Sequence, residues 1–215
     1  MKIVDCEQRS PEWFEARLGK VTASRVGDAM DTLKNGNPGM KRKNYARELL
    51  AERITGVEAE FYVNKAMQWG TDHEDEARNL YAFQTDADGE DVGLVLHPWI
   101  DNAAASPDWL VGSDGLVEIK CPNSTTHLDT LLANDVPTGN LLQIHFQMIC
   151  TGRDWCDFVS FDPRMPGEMS MFIKRVHRDA DMDDQINLSI EAFLDEVDAA
   201  EAAIRDRYTM SEAAE

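Results

Sequence analysis

One stretch of the sequence decides the fold, the run SPDWLVGSDGLVEIK at residues 106–120. Two β-like segments, 109–111 and 116–120, flank a turn rich in glycine and polar residues, which predicts a β-hairpin. Alternate side chains of a strand share a face, so Glu118 and Lys120 point one way while Val117 and Ile119 face a core on the other side. A pair of charges on an otherwise apolar strand is costly unless it is compensated.

A divalent cation held between Asp108 and Glu118, with Lys120 beside it, would provide that compensation. Oxygen ligands suit Mg²⁺, which prefers carboxylates, water and a substrate phosphate. The alternative is an exposed hairpin on which Glu118 and Lys120 form an ordinary ion pair. The spacing of these three residues alone leaves both readings open.

Composition indicates a soluble globular protein of one domain. The chain has 215 residues, of which 43% are hydrophobic and 28% are charged, and we expect a single domain over residues 1–215. We find no apolar run of membrane-spanning length and no signal-peptide core at the start, so we expect a cytoplasmic protein with no membrane partner. The four cysteines contain no CxxC pair, which favours reduced core residues over a zinc or iron–sulfur site.

The net charge of −19 argues at first against a nucleic-acid ligand, because DNA binding depends on neutralising phosphates. The charge is unevenly distributed, however. Residues 173–215 are rich in acids, whereas the first 53 residues contain eleven lysines and arginines, among them Lys41, Arg42 and Lys43. A protein can be acidic outside and basic along one channel. These three residues are candidate channel cations, and the alternative is an ordinary solvated helix start.

Helices and strands follow one another in an order typical of an α/β protein. Periodicity, capping residues and turn residues predict helices at 11–18, 22–30, 41–54, 64–83, 124–132, 141–150 and 183–205, and strands at 92–97, 103–105, 109–111, 116–120, 156–161 and 169–176. The expected fold is therefore a mixed central sheet flanked by helices.

The helix predicted at 64–83 carries a candidate metal ligand. Ala66, Trp69, His73, Ala77, Leu80 and Tyr81 mark its buried face at helical spacing. Glu74 leans toward that face and requires a partner there. The partner could be a metal, or it could be Arg78 one turn later.

In the helix predicted at 141–150, Gln143 and Gln147 stand four apart and share a face. Two long amides on one stripe could clamp a substrate or position a water, or they could be ordinary surface residues. His145 has no second histidine or cysteine at metal spacing, which favours a structural or exposed histidine.

Four motifs in this order resemble the phage-lambda-type exonucleases, also called viral recombinases. They are Gln8-x-Ser10-x-Glu12-Trp13-x4-Leu18-Gly19-x-Val21-Thr22-Ala23-Ser24, Trp69-Gly70-x3-Glu74-x2-Ala77-Arg78, Ser106-Pro107-Asp108 with Glu118-Ile119-Lys120-Cys121-Pro122, and Phe161-Asp162-Pro163-Arg164. With the terminal helix they extend over nearly the whole chain.

The resemblance implies a restriction-endonuclease-like core that digests linear double-stranded DNA from 5′ ends and leaves a 3′ overhang for recombination. It implies Mg²⁺ as cofactor, with Mn²⁺ as a substitute and two ions in the site. Asp108, Glu118, the main-chain carbonyl of Ile119 and Glu74 would hold the metals. Lys120 would orient or deprotonate the attacking water, which it could do as a neutral amine because a nearby cation disfavours its charge.

The resemblance also implies a pocket for the terminal 5′-phosphate, formed by Arg17, Ser24 and Ser106, with Lys34 nearby on a loop. Met67 stands where the family has an apolar wedge that parts the strands, and its alternative is plain core packing.

In the family, the glutamine pair is spaced by two. Gln143 therefore carries over as a catalytic residue, and the second contact stays open between His145 and Gln147.

Family members form rings, commonly trimers, so the resemblance implies a homo-oligomer and a single-strand annealing protein as partner. Two other function classes remain open. An acidic, non-enzymatic DNA mimic or recombination partner would explain the net charge of −19 and would need no metal. An endonuclease or a 3′-directed nuclease could be built on the same core.

Overall fold

The computed structural model describes residues 1–58 and 65–212. The strands are β1 (Lys2–Val4), β2 (Val21–Thr22), β3 (Gly89–Glu90), β4 (Leu94–Leu96), β5 (Ala103–Ala105), β6 (Trp109–Val111), β7 (Gly115–Lys120), β8 (Trp155–Phe161) and β9 (Met171–His177). The helices are α1 (Pro11–Arg17), α2 (Val26–Ala29), α3 (Met40–Thr55), α4 (Lys65–Thr85), α5 (Ser124–Ala133), α6 (Thr138–Thr151) and α7 (Ala180–Glu212).

A mixed five-stranded sheet with the order β3-β6-β7-β8-β9 forms the centre of the fold. β7 pairs with β8 in parallel, and the other neighbours pair antiparallel. The predicted hairpin is β6–β7, whose register places Trp109 opposite Val117. A second sheet, with the order β1-β4-β5-β2, is formed by strands from the first half of the sequence.

The two faces of the central sheet bury separate cores, as strand alternation requires. On one face, Leu116 and Phe158 pack among residues of α6 and α7. On the other face, Val117 and Ile119 pack with α4 through Ala77. Glu118 therefore faces α6, and this orientation explains which helix supplies its partners.

Local sequence explains where the helices begin and end. The Ser10 side chain caps α1 by accepting a hydrogen bond from the Trp13 amide, and Pro11 occupies the first turn. α3 ends at Gly56 and α6 ends at Gly152, both in the left-handed conformation that glycine adopts without strain. These boundaries match the sequence prediction within about two residues.

Some predicted elements differ from the structure. The helix predicted at 22–30 begins as strand β2 and a 3-10 turn over Ala23–Arg25, so α2 covers only Val26–Ala29. The predicted strand 92–97 shortens to β4, and β1, β2 and β3 were not predicted. Ala66, assigned to the buried face of α4, is exposed. Residue 64, the predicted start of that helix, lies outside the described residues.

Among the described residues, no helix is long and apolar enough to cross a membrane. All four cysteines are free thiols, three of them buried, as the absence of paired spacing predicted.

Candidate active site

Glu118 is the centre of a buried polar cluster on β7. Its side chain is 1% exposed. Gln143 donates from Nε2 to Oε1 and Gln147 donates from Nε2 to Oε2, each at 2.6 Å. Lys120 forms an ion pair with Oε1 from the same face of the strand. Both carboxylate oxygens are thus engaged by donors, which fixes the direction of the side chain.

The second glutamine contact, left open by the sequence between His145 and Gln147, belongs to Gln147. One helical turn separates it from Gln143, so both amides point from α6 toward β7. His145 points away and lies 3.3 Å from Asp183 of α7, which also pairs with Arg178. His145 is therefore a buried residue that joins two helices.

Asp108 approaches the same strand from the residue that precedes β6. Its Oδ2 accepts a hydrogen bond from the Ile119 amide at 2.6 Å. Burial raises the pKa of Asp108 well above its ordinary value, and the carboxylates of Glu118 and Glu74 raise it further. The three acids therefore act on one another electrostatically, although they come from three separate elements.

Lys120 is influenced by the same acids. Burial opposes its charge, but Glu118, Asp108 and Glu74 outweigh burial and raise its pKa. The protein groups alone therefore favour the protonated amine. A neutral Lys120, as the sequence interpretation required for a base, depends on positive charge supplied from outside the chain.

Glu74 of α4 pairs with Arg9, at 2.5 Å between Oε2 and Nη2. The alternative partner considered from the sequence, Arg78, instead contacts Asp75 and Asp91. That alternative is wrong, because the Arg78 side chain turns to the outer side of the helix. Glu74 faces inward, as its position on the helix predicted.

The donor set fits a hard divalent cation. Glu74, Asp108, Glu118 and the backbone of Ile119 present oxygens, and the raised pKa of Asp108 indicates negative charge that a cation would compensate. In the described ranges no group of three or more acids, histidines or cysteines is already arranged as a metal site. Glu74 and Glu118 are instead turned to Arg9 and Lys120, so a metal would compete with these internal cations.

Glu74, Asp108 and Ile119 line a cavity of about 830 Å³. Its charged lining residues are Arg9, Arg17, Lys20, Arg25 and Lys120, and Glu48, Glu52, Glu58, Glu74 and Asp108. Cations and acids are interleaved, so the cavity is not the purely basic channel that the charge distribution suggested.

Two of the predicted phosphate ligands, Arg17 and Ser24, line the cavity. The Arg17 guanidinium lies 3.9 Å from the ring centroid of Trp13, whose indole Nε1 donates to the Ser106 hydroxyl at 2.9 Å. Burial lowers the pKa of Arg17, although Tyr45 and nearby acids oppose that effect. Arg17, Ser24 and Ser106 thus lie in one region, with Trp13 linking the first and last.

Other predicted site residues are not brought to the cavity. Lys34 lies on the exposed loop between α2 and α3 and is not among the lining residues. The Met67 side chain falls outside the described residues, so its wedge role stays a prediction. Lys41 and Lys43 are exposed and do not line the cavity.

The channel hypothesis is wrong for Arg42. Its guanidinium is buried, donates to the Ala29 carbonyl at 2.5 Å and pairs with Glu196 of α7 at 2.9 Å. It therefore joins α2, α3 and α7 and is not available to a ligand.

Two residues of the site were not singled out for it from the sequence. Arg9 reaches Glu74 across 65 positions of the chain, and Trp13 supports Arg17 from the same helix. Trp13 and Arg17 stand one turn apart on α1, so their spacing could have revealed that the two side chains meet. No comparable signal in the sequence indicated the contact between Arg9 and Glu74.

Comparisons with known proteins agree with this geometry. Residues 12–154 match the YqaJ-like viral recombinase domain. The alkaline exonuclease LHK-Exo from Laribacter hongkongensis is 43% identical, with a TM-score of 0.87 over 94% of this chain and 99% of that chain. Its complex with dAMP gives a TM-score of 0.88.

Two more distant relatives were found. A phage-related exonuclease from Haemophilus somnus is 18% identical, with a TM-score of 0.67 over 86% of this chain and 96% of that chain, and it shares the fold. An uncharacterised protein of Acanthamoeba polyphaga mimivirus is 26% identical over 174 residues. This match covers 74% of this chain and only 30% of the mimivirus protein.

The predicted restriction-endonuclease-like core, with its mixed sheet between helices, is confirmed by these structural matches. The domain match includes Glu74, Asp108 and the Glu118-Ile119-Lys120 strand. Glu74, Asp108, Ile119 and Lys120 line one cavity, and Glu118 contacts Lys120. The chain therefore belongs to the YqaJ-like viral recombinase family.

Proposed function

We propose that the protein is a metal-dependent exonuclease that digests linear double-stranded DNA from 5′ ends and leaves a 3′ single-stranded overhang for homologous recombination. One observation carries the proposal. Asp108 accepts a hydrogen bond from the Ile119 amide, and the two residues on either side of Ile119, Glu118 and Lys120, form an ion pair. Glu74 lines the same cavity as Asp108 and Lys120, in a chain that is 43% identical to an alkaline exonuclease.

The metal ligands would be Asp108, Glu118, the Ile119 carbonyl and Glu74, holding Mg²⁺ or Mn²⁺, with two ions as the family resemblance implies. Such an ion polarises a scissile phosphate and lowers the pKa of bound water. The chain's own contribution is to hold the acids in place. The Ile119 amide fixes Asp108, and the two glutamines fix Glu118.

Lys120 would orient the attacking water. Its amine contacts Glu118 and lies in the cavity, with 37% of the side chain exposed. The protonated form that the acids favour can donate hydrogen bonds to water and to phosphate oxygens. Gln143 and Gln147 act through Glu118 and are positioning residues in this proposal.

The terminal 5′-phosphate would bind at Arg17, with Ser24 and Ser106 as hydroxyl donors. A partly desolvated guanidinium, stacked on Trp13, gains charge-assisted hydrogen bonds from a phosphate. This pocket would select 5′ ends, and the carboxylate cluster beside Lys120 would then act on the adjoining phosphodiester bond.

The family resemblance extends the proposal to assembly. We expect a homotrimeric ring through which the product strand passes and a single-strand annealing protein that receives it. Sedimentation of the purified protein, with and without linear duplex, would establish the number of subunits.

The function can be tested with two forms of one plasmid. With Mg²⁺, the linearised duplex should be converted to mononucleotides and single strand, whereas the covalently closed circle should persist, and EDTA should stop the reaction. Cleavage of the closed circle would indicate an endonuclease. Failure to act on either form, under conditions where the protein is folded, would favour the acidic binding protein.

A further inference from the structure

Arg9 lies at the edge of the carboxylate cluster and is assigned no part in metal binding or in cleavage. It lines the cavity together with Asp108 and Lys120, and its Nη2 contacts Glu74 Oε2 at 2.5 Å. The Arg9 side chain is 51% exposed, whereas that of Glu74 is 21% exposed. Arg9 is therefore a cation that reaches from the cavity mouth to a proposed metal ligand.

The backbone at Arg9 adopts a conformation that arginine seldom takes. Its φ is +70°, in the left-handed region that favours glycine. Such a conformation persists only where the surroundings hold it, and it occurs often at ligand sites. Here the adjacent residues hold it firmly.

Gln8 and Ser10 fix the segment on either side of Arg9. The Gln8 side chain donates to the carbonyls of Val92 and Pro107, at 2.8 and 2.9 Å. Ser10 caps α1. Because Pro107 directly precedes Asp108, this segment ties the position of Arg9 to that of the catalytic acid.

The Arg9–Glu74 contact is well suited to be exchanged. Ion pairs that are this exposed contribute little to stability, because water screens them and long side chains lose entropy in forming them. A divalent cation at Glu74 would displace the guanidinium by like-charge repulsion. The N–H groups of the released Arg9 guanidinium would then lie in a cavity proposed to hold DNA. A guanidinium matches the geometry of a phosphate.

We propose that Arg9 exchanges partners during substrate binding: it occupies Glu74 until a divalent cation takes that carboxylate, and it then binds a backbone phosphate of the DNA. This inference rests on the proposed nuclease function. It makes Arg9 a DNA-binding residue that couples metal loading to DNA binding: its loss should strengthen metal binding and weaken DNA binding.

The test measures both ligands separately with the full-length protein. Mn²⁺ binding is measured by titration calorimetry without DNA, and linear duplex binding by fluorescence anisotropy with Ca²⁺ to prevent cleavage. The variants are Arg9→Gln and Arg9→Gly, the second of which suits the left-handed backbone. Arg207→Gln, an exposed position of α7 outside the cavity lining, is the matched charge control.

Both Arg9 variants should bind Mn²⁺ about two- to fivefold more tightly, because an internal competitor is gone. They should bind duplex roughly tenfold more weakly, and the slope of log affinity against log salt should fall by about 0.9, the equivalent of one phosphate. Arg207→Gln should change neither affinity.

A purely structural role would weaken both ligands together, and that result would overturn the inference, as would unchanged Mn²⁺ affinity. If wild type binds Mn²⁺ and DNA while the Arg9 variants match it, only this inference fails. If wild type binds neither ligand, the proposed function fails and the inference with it.

Discussion

Glu118 is held by three nitrogen donors, from Lys120, Gln143 and Gln147. The Glu118 side chain is 1% exposed, so these donors satisfy oxygens that bulk water does not reach. The two amides therefore fix the direction of the carboxylate. This arrangement distinguishes Gln147, which touches the acid, from His145, which does not.

Gln147→Leu should lower the cleavage rate roughly ten- to hundredfold, because a misplaced reacting group costs about that much. His145→Asn should instead lower the melting temperature and leave the rate per folded molecule near wild type. Cleavage rates normalised to the folded fraction, measured for both variants, compare the two roles. Equal activity losses for the two variants would contradict the assignment.

Arg17 provides a second prediction for a single residue. Wild type should digest duplex with a 5′-phosphate faster than duplex with a 5′-hydroxyl, and Arg17→Ala should remove most of that preference, because the charged hydrogen bonds to the phosphate are lost. The exposed Arg47→Ala is the control. Initial rates on the two substrates would measure the preference for a 5′-phosphate. Equal rates with wild type would contradict the assignment of a phosphate pocket.

Strand alternation alone predicted that Glu118 and Lys120 share a face, and helical spacing predicted that Gln143 and Gln147 do. The meeting of these two pairs could not be predicted, since it depends on how α6 crosses the sheet. Arg9 was missed for the same reason. Its contact spans 65 residues and requires a backbone conformation that its residue type does not favour.

At the scale of elements, helices with caps were predicted well, whereas the two-residue strands were missed. Ser10 precedes α1 and caps it through its side chain, and Gly56 ends α3 in the left-handed conformation that glycine adopts without strain. β2 and β3 have two residues each, which is too short to show any periodicity. They exist because neighbouring strands supply hydrogen-bond partners.

The Phe161-Asp162-Pro163-Arg164 motif begins at the last residue of β8, and its contacts are structural. Asp162 has no exposed surface and accepts hydrogen bonds from the Arg164 backbone and guanidinium. Arg164 in turn lies over Trp69 of α4, 4.2 Å from the ring centroid. The motif thus connects the end of the central sheet to the helix that carries Glu74.

Asp162→Asn should destabilise the protein at pH 7 by roughly 1–3 kcal/mol, the usual cost of losing a buried charged partner. Burial opposes ionisation of Asp162, but hydrogen bonds from Arg164 and Ser124 outweigh it and lower the pKa to about 2. Because the folded pKa is depressed, the stabilisation is full above about pH 4 and is lost as the pH falls through 2.

Urea unfolding of wild type and Asp162→Asn at several pH values would measure this difference. The exposed Asp129→Asn variant is the control. A gap between wild type and Asp162→Asn that stays constant down to pH 2.5 would contradict the ionic role of Asp162.

At the scale of the whole molecule, the charge of −19 is not a measure of the DNA site. Some cations of the N-terminal region form ion pairs within the fold: Arg42 and Arg53 pair with acids of α7. The sequence showed that the basic residues are concentrated there but not which of them face the cavity. Those that do include Arg9, Arg17 and Lys20.

Duplex binding should nevertheless weaken steeply with salt, because counterion release reports the phosphates contacted locally and not the sign of the whole protein. Anisotropy with Ca²⁺ at low and moderate salt would measure the slope, which should approach about 0.9 for each phosphate contacted. A flat response would favour an acidic partner protein over a nuclease.

The central claim is that the carboxylate cluster around Glu118 removes nucleotides from 5′ ends. Its most direct test is a linear duplex labelled at either the 5′ or the 3′ terminus and digested with Mg²⁺ by wild type and by Glu118→Gln. Wild type should release the 5′ label at once and leave the 3′ label in single strand, and the folded variant should release label slower by orders of magnitude. Early release of the 3′ label by wild type, or near wild-type release by Glu118→Gln, would contradict the account.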